Sequence, residues 1–576
     1  MTSNLSFEDV RHEIIGRDFT FTTPFGERLL TYADYTASGR SLGFIEKYLI
    51  KIQREYANTH TEDDITGRHM TGLLHGAEKL IKTAFNAEKN CYIIATGTGT
   101  TGAIAKFQEI IGVRLPEATR LLILSLFSTI AESDFGNPRT LARMQKKMEK
   151  IRPVVFITPY EHHSNDVMWR ESVADVVVIG LTPEGYFDLD DLKQKLALPQ
   201  YQNRLKIGSF SAASNVTGIK SPVYEIAKIM HQYEGLACFD FAASAPYVKI
   251  DMNKDADSYF DAIYLSPHKF VGGPGSTGIL VFNEKLYNAS IIPTSAAGGT
   301  VDYVSRSSVV YTEDVETRER AGTPGILQTI KAGLAIDLKD ALGIDNIEAK
   351  EHDFISRALE RLGKHPNIEI LGPLDPDNHL SIVSLMIKHG DKYLHPKFCT
   401  TLLNDLFGIQ SRAGCMCAGP YGHTLLNIEE KRSEKFREIV EQGNMGIKPG
   451  WTRVNFHYLI SEEEFKFLCD ALEFLAEFGH QFLPLYVFDF KTGDWLHHAF
   501  QDVDLQEFPN IKTVLRMDLK NCFDEDDIDR KVLFAQYLDE AEKLTKTLPK
   551  PDHFEEFQDP AAEELRWFNF QKVIHE

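Results

Sequence analysis

Lys269 stands between Ser266-Pro-His268 and the glycine-rich turn Phe270-Val-Gly-Gly-Pro-Gly-Ser-Thr-Gly278, directly after the apolar run Asp261-Ala-Ile-Tyr-Leu265. A lysine amine partly withdrawn from water loses basicity and becomes a nucleophile able to form a Schiff base. Lysines on such turns are usually plain surface residues. The chemical reading comes from the residues upstream, which appear in the order Thr96-Gly-Thr-Gly-Thr-Thr-Gly102, Glu161-His-His-Ser-Asn165, Ser214-Asn-Val-Thr-Gly218 and Asp240.

Each group offers a part of one site. The threonine- and glycine-rich loop follows a strand pattern and opens a helical one, so its amides and hydroxyls could cradle a phosphate. It lacks the Gly-Lys-Ser/Thr of a nucleotide loop and the spacing of a dinucleotide fingerprint. His162 and His163 have no metal-ligand spacing around them, and an imidazole stacked on a flat aromatic cofactor suits them better than a metal. Asp240 falls at a strand end, where a carboxylate can keep a pyridine nitrogen protonated and make pyridoxal 5′-phosphate an electron sink. It precedes Lys269 by 269 − 240 = 29 residues, the span of one strand-helix-strand excursion. Asn215 offers an amide to the cofactor's phenolic oxygen.

The elements that must position these residues form an α/β pattern. Strands are predicted at 90–95, 152–157, 175–179, 205–210, 236–240, 261–265 and 277–282, with a helix over 223–233. That alternation implies a mostly parallel sheet covered on both faces, with ligands at the carboxyl ends of its strands. With 576 residues, two or three domains are expected. We divide the chain into an N-terminal segment (1–30), a large α/β domain (31–330), a smaller α+β domain (331–484) and an acidic, aromatic extension (485–576) without a legible motif. A solvated, increasingly basic helix pair is expected as an insertion at about 116–150. The formal charge of −21 argues against nucleic acid or an anionic membrane as partner, and no apolar run reaches membrane-spanning length. Seven scattered cysteines and an N-terminus without leader features point to a reducing, cytoplasmic setting.

The whole set resembles the class V, fold-type I pyridoxal-phosphate enzymes, and among them the cysteine desulfurase/selenocysteine lyase group. The resemblance spans roughly residues 30–465 and also rests on Tyr32-Ala-Asp-Tyr-Thr36, Ala321-Gly-Thr-Pro324, Arg412-Ala-Gly-Cys-Met-Cys417 and Arg453-Val-Asn-Phe456. It implies that Lys269 carries the cofactor as a Schiff base, His162 stacks on its ring, Asp240 pairs with the ring nitrogen and Asn215 bonds the phenolic oxygen. Thr100, Thr101, Ser266 and His268 would hold the phosphate. Thr323 would reach the phosphate of a second subunit, which implies a homodimer. Arg453 would clamp the substrate carboxylate, with Arg412 beside it, and Cys417 would take sulfur from L-cysteine, leaving alanine and a persulfide for a sulfur-acceptor protein. Two departures keep other class V reactions (transamination, epimerisation, β-elimination) open. Ala243 stands where the family usually has glutamine, and Cys415 accompanies Cys417. These two thiols could resolve one another, but alone they make no closed metal site, and no metal is expected.

Overall fold

The computed structural model describes residues 5–59, 63–133, 147, 150–414, 416–500, 509–517, 528–549, 551 and 553–572. These form two units. One holds residues 38–215 and 219–348; the other holds the described residues up to Ala37, Val216–Gly218 and those from Ala349 onward.

In the first unit, seven strands form one sheet: β1 (Cys91–Ala95), β2 (Val154–Ile157), β3 (Asp175–Val178), β4 (Lys206–Ser211), β5 (Gly235–Asp240), β6 (Ala262–Leu265) and β7 (Ile279–Asn283). Their order is β1-β7-β6-β5-β4-β2-β3. The run from β6 to β3 is parallel, while β7 lies antiparallel to both its neighbours. Each of the seven predicted strands is present within two residues of its expected ends. Alternate residues feed two cores: Phe156, Phe210, Phe239 and Ile263 enter one, and Val155, Ile207, Cys238 and Tyr264 the other. Burial of both side-chain sets is why these strands read as continuous apolar runs.

Helices α1 (Ile65–Ala84), α2 (Gly99–Ile110), α3 (Glu117–Ser133), α4 (His163–Arg170), α5 (Val223–Gln232) and α6 (Ile326–Leu342) belong to the same unit. Gly333 of α6 lies so close to α1 that a Cβ there would sit 3.0 Å from that of Ala77. This packing holds residues 331–348 with the large unit, beyond the expected boundary at 330. Within the expected insertion, α3 is exposed but not polar: Leu121, Leu122, Leu124 and Leu126 all face solvent. Residues 134–146 and 148–149, where its helical partner was expected, lie outside the described residues. No described helix is long and apolar enough to cross a membrane.

The second unit is built on β8 (Ile382–His389), β9 (Lys392–Leu394), β10 (Arg412–Ala413), β11 (Thr452–Asn455) and β12 (Phe568–Asn569), ordered β10-β11-β8-β9-β12. Helices α7 (Pro396–Phe407), α8 (Gly419–Leu425), α9 (Glu462–Phe478) and α10 (Arg530–Thr545) accompany it. Residues 31–37, expected in the large domain, belong here because Thr31–Tyr32 pairs in parallel with Ile409–Gln410. The extension is part of this core. Phe488, Trp495, Phe534, Phe557 and Phe568 share one buried cluster with Phe398, Phe467 and Leu472. The rings of Phe467 and Phe534 stack 3.9 Å apart. Of the acidic segment singled out at 523–529, residues 523–527 lie outside the described residues.

Glu351 is a buried carboxyl in this unit, accepting from the amides of Tyr458 (2.8 Å) and Ser381 (3.2 Å). Burial pushes its pKa up to about 8, against those bonds. The folded protein therefore holds a proton that the unfolded chain releases near its ordinary value of about 4.5. The stability that Glu351 contributes is complete below that value and is lost as pH rises through about 8. Glu351→Gln is expected to flatten the fall in stability across this window by a few (~3) kcal/mol, read from denaturant midpoints at pH 5 and pH 8.

Candidate active site

The carboxyl ends of β5 and β6 carry Asp240 and the 3-10 turn Pro267–Lys269. Asp240 is buried and accepts the Ala242 amide at 2.8 Å. Burial pushes its carboxyl up to about 6, opposed by that bond and by the charge of Lys269. His268 is pushed down to about 4, first by burial and then by the same lysine. Lys269 thus lies within electrostatic reach of both, and His268 serves at neutral pH as an uncharged hydrogen-bonding ring.

At the start of α2, the N-cap Thr98 makes no side-chain cap bond. The Thr100 amide donates instead to Ser266 Oγ at 2.9 Å, which also lies 2.8 Å from Thr100 Oγ1. Gly99 adopts φ +58°, and a Cβ on it would meet Ser266 Oγ at 2.9 Å. Threonine hydroxyls, a serine and an uncapped helix start form a suitable donor set for a phosphate dianion. Together with the buried carboxylate of Asp240, these residues fit pyridoxal 5′-phosphate.

His162 caps α4, its Nδ1 accepting the Ser164 amide at 3.1 Å, so a neutral ring carries its hydrogen on Nε2. Ser164 Oγ lies 3.1 Å from the same Nδ1 and 2.6 Å from Thr101 Oγ1. It therefore ties the histidine to the threonine loop, a role that sequence reasoning missed. The flanking residues of the motif anchor it from below. Glu161 accepts from Thr158, Ser211 and Asn165, and Asn165 also donates to Ser209 O at 3.0 Å. Burial pushes the Glu161 carboxyl up to about 7 against these donors.

Asn215 is buried on the turn after β4. Thr323 is not brought into this set; it sits on the surface loop 321–325, accepting from Asn58 Nδ2 at 3.3 Å. Ala243 is buried and apolar, and its neighbour Ser244 has a buried Oγ with no hydrogen-bond partner among the described residues.

The other expected residues lie in the second unit. Arg412 and Arg453 face each other across the β10-β11 pair. Both reach Asp34: Arg453 Nη2 lies 2.9 Å from Oδ1, and Arg412 Nε 2.9 Å from Oδ2. Asp34 sits in the Tyr32–Thr36 motif, but its link to both guanidiniums carries no sequence signal. Cys417 lies on the 3-10 turn Met416–Ala418 ahead of α8 and is half-buried. Cys91, Cys238, Cys399 and Cys469 are all buried. Burial raises each of those thiols, Cys399 and Cys469 to about 12. Solvent access therefore singles out Cys417 among the described cysteines. Its turn is anchored on both sides, by the Gly414 amide donating to Trp451 O (2.7 Å) and by Tyr421 OH, 3.2 Å from Thr217 Oγ1. Cys415 lies outside the described residues.

Comparison with solved structures defines the architecture. An apo cysteine desulfurase from Thermococcus onnurineus NA1 covers 83% of this chain and 100% of its own at TM-score 0.62 and 22% identity. The cysteine desulfurase CsdA from Escherichia coli covers 77% and 94% at TM-score 0.56 and 19% identity. At these identities the likeness is one of fold. Residues 139–465 match the family model for class-V aminotransferases, and the chain belongs to that family. A probable cysteine desulfurase of Halalkalibacterium halodurans is 31% identical over 270 residues, 46% of this chain and 62% of that protein. One from Streptomyces coelicolor is 29% identical over 328 residues, 56% and 70% of the two. The chain thus spans about three-fifths of the first relative's length.

Proposed function

We propose that this protein is a pyridoxal-phosphate-dependent cysteine desulfurase, taking sulfur from L-cysteine onto Cys417 and releasing alanine. The observation that carries the reading is the half-exposed Cys417 on an anchored turn, in a chain whose other described thiols are buried. The names of the relatives support it.

Bound pyridoxal 5′-phosphate would supply an aldehyde for the Lys269 amine and a ring that accepts the electrons left when a substrate loses its α-proton. Thr100, Thr101, Ser266 and the start of α2 would hold its phosphate. Asp240 would keep the ring nitrogen protonated, Asn215 would bond the phenolic oxygen and His162 would stack on the ring. Arg453 would bind the substrate α-carboxylate, assisted by Arg412. The Lys269 amine would also move the substrate α-proton. The Cys417 thiolate would attack the substrate sulfur, forming an S–S bond as the C–S bond breaks, and the electron pair left on carbon would take up a proton to give alanine. Thr323 at the surface suits a contribution to a second subunit's phosphate site, hence a homodimer. The persulfide would pass to an acceptor protein, and a sparse, odd-numbered set of seven cysteines suits a reducing cytoplasm.

Cys417→Ser is expected to lower alanine release from L-cysteine by about 100-fold or more while leaving the absorbance change on mixing with L-cysteine intact. Alanine and sulfane sulfur assays on both proteins check this. Wild-type protein that instead gives keto acid and the amine form of the cofactor would show a transaminase. Ala243, which removes the glutamine contact of the family to the phenolic oxygen, is the observation that favours that second reading.

A further inference from the structure

We infer that Asp34 is a positioning and charge-balancing residue of the amino-acid site, and that it sets the preference for a substrate bearing a single carboxylate. The inference rests on the reading of Arg453 as the carboxylate clamp.

The backbone around Asp34 is fixed to the segment just before Arg412 and to the strand that bears Arg453. Ala33 donates its amide to Gln410 O at 2.9 Å, two residues before Arg412. Its carbonyl accepts the Asn455 amide at 2.9 Å, two residues after Arg453. The carboxylate is thereby delivered between the guanidiniums and uses one oxygen on each, both at 2.9 Å. Arg453 is nearly inaccessible, its side chain 4% exposed, whereas that of Arg412 is 49% exposed. A buried guanidinium needs a counter-charge when no substrate is present, and a fixed plane is what makes a bidentate clamp selective. Asp34 meets both requirements.

The balance of charge then has a consequence for specificity. Asp34 offsets part of the positive charge of the two guanidiniums to which the substrate α-carboxylate would bind. A second carboxylate on the substrate side chain, three bonds from the first, would meet the Asp34 carboxylate as a like charge. Removing the charge of Asp34 without changing its shape should relieve that repulsion.

The test uses holoenzyme and two unreactive probes, L-alanine and L-aspartate, titrated while following cofactor absorbance. Wild type is expected to favour alanine. In Asp34→Asn the ratio of the two dissociation constants is expected to move by about tenfold toward aspartate, the size of shift one nearby charge confers. Arg412→Gln, which lowers the net charge instead, should move the ratio the other way and keeps the idea testable if the first variant does not fold. An unchanged ratio in a folded variant would overturn the inference while leaving the amino-acid site standing. A wild-type holoenzyme that responds to neither probe nor to L-cysteine would overturn the underlying reading, and this inference with it.

Discussion

Lys269→Ala is expected to abolish turnover, with alanine formation from L-cysteine falling by at least about 10³-fold. The variant should also fail to retain cofactor covalently after borohydride reduction. Under the proposed function two separate losses would combine in this one substitution: the amine that would bond the cofactor and the base that would move the α-proton, the second alone worth roughly 10²–10⁴-fold. Lys269→Arg separates charge from nucleophilicity. It keeps the cation that opposes the upward push on Asp240 and adds to the downward push on His268. A guanidinium, however, is neither a nucleophile nor a base at neutral pH. Both variants should therefore be inactive, and a small primary amine added to Lys269→Ala should restore part of the proton transfer. The threonine loop does not depend on the lysine side chain, since Thr100 is held by Ser266. The variants should thus still take up the cofactor without the covalent link. Mass spectrometry of the reduced protein and steady-state assays decide the matter. Wild-type-like turnover in Lys269→Ala would remove the lysine from the chemistry altogether.

The seven strands were legible because a sheet buried on both faces leaves an unmistakable trace, an apolar run such as Val154–Ile157 bounded by turn residues. The residues at the strand ends were legible for the same reason, since Asp240 and the Lys269 turn each follow such a run. Ser164 and Asp34 were not. A serine that bridges His162 to Thr101 and an aspartate that joins Arg412 to Arg453 act through partners distant in the chain. The Asp34–Arg453 pair is separated by 419 residues, and no local pattern records such a contact. The two compact units divide the chain at other places than expected for a related reason. Thr31–Tyr32 takes its place from pairing with Ile409–Gln410, and α6 continues past residue 330 because it packs on α1. The extension misled because its aromatic residues are interspersed with many acidic ones, a composition that suggests an appendage when read without its partners.

A chain ended at residue 484 is therefore expected to lose the fold of the second unit rather than a dispensable tail. Strand β12 pairs in parallel with β9 at the edge of the sheet. Phe568 of β12 is fully buried, with its ring centroid 4.6 Å from that of His395 and 5.3 Å from that of Phe488. Truncation would expose β9 as an edge and uncover the faces of Phe398 and Phe467, a loss far larger than the 5–15 kcal/mol by which domains are ordinarily stable. The point substitution Phe568→Ala isolates one part of that loss and should cost about 3–5 kcal/mol, the usual price of deleting a buried aromatic ring. Val532→Ala on the exposed face of α10 (60% exposed) is the control and should stay within about 0.5 kcal/mol of wild type. Chemical denaturation of the three full-length proteins, with limited proteolysis of the truncated chain, reads these effects. A truncated chain as protease-resistant as wild type, or a Phe568→Ala midpoint equal to that of the control, would show that the small-unit core closes without the extension. The shared cluster predicts the reverse, because Trp495, Phe557 and Phe568 are buried members of the same core as Phe398 and Phe467.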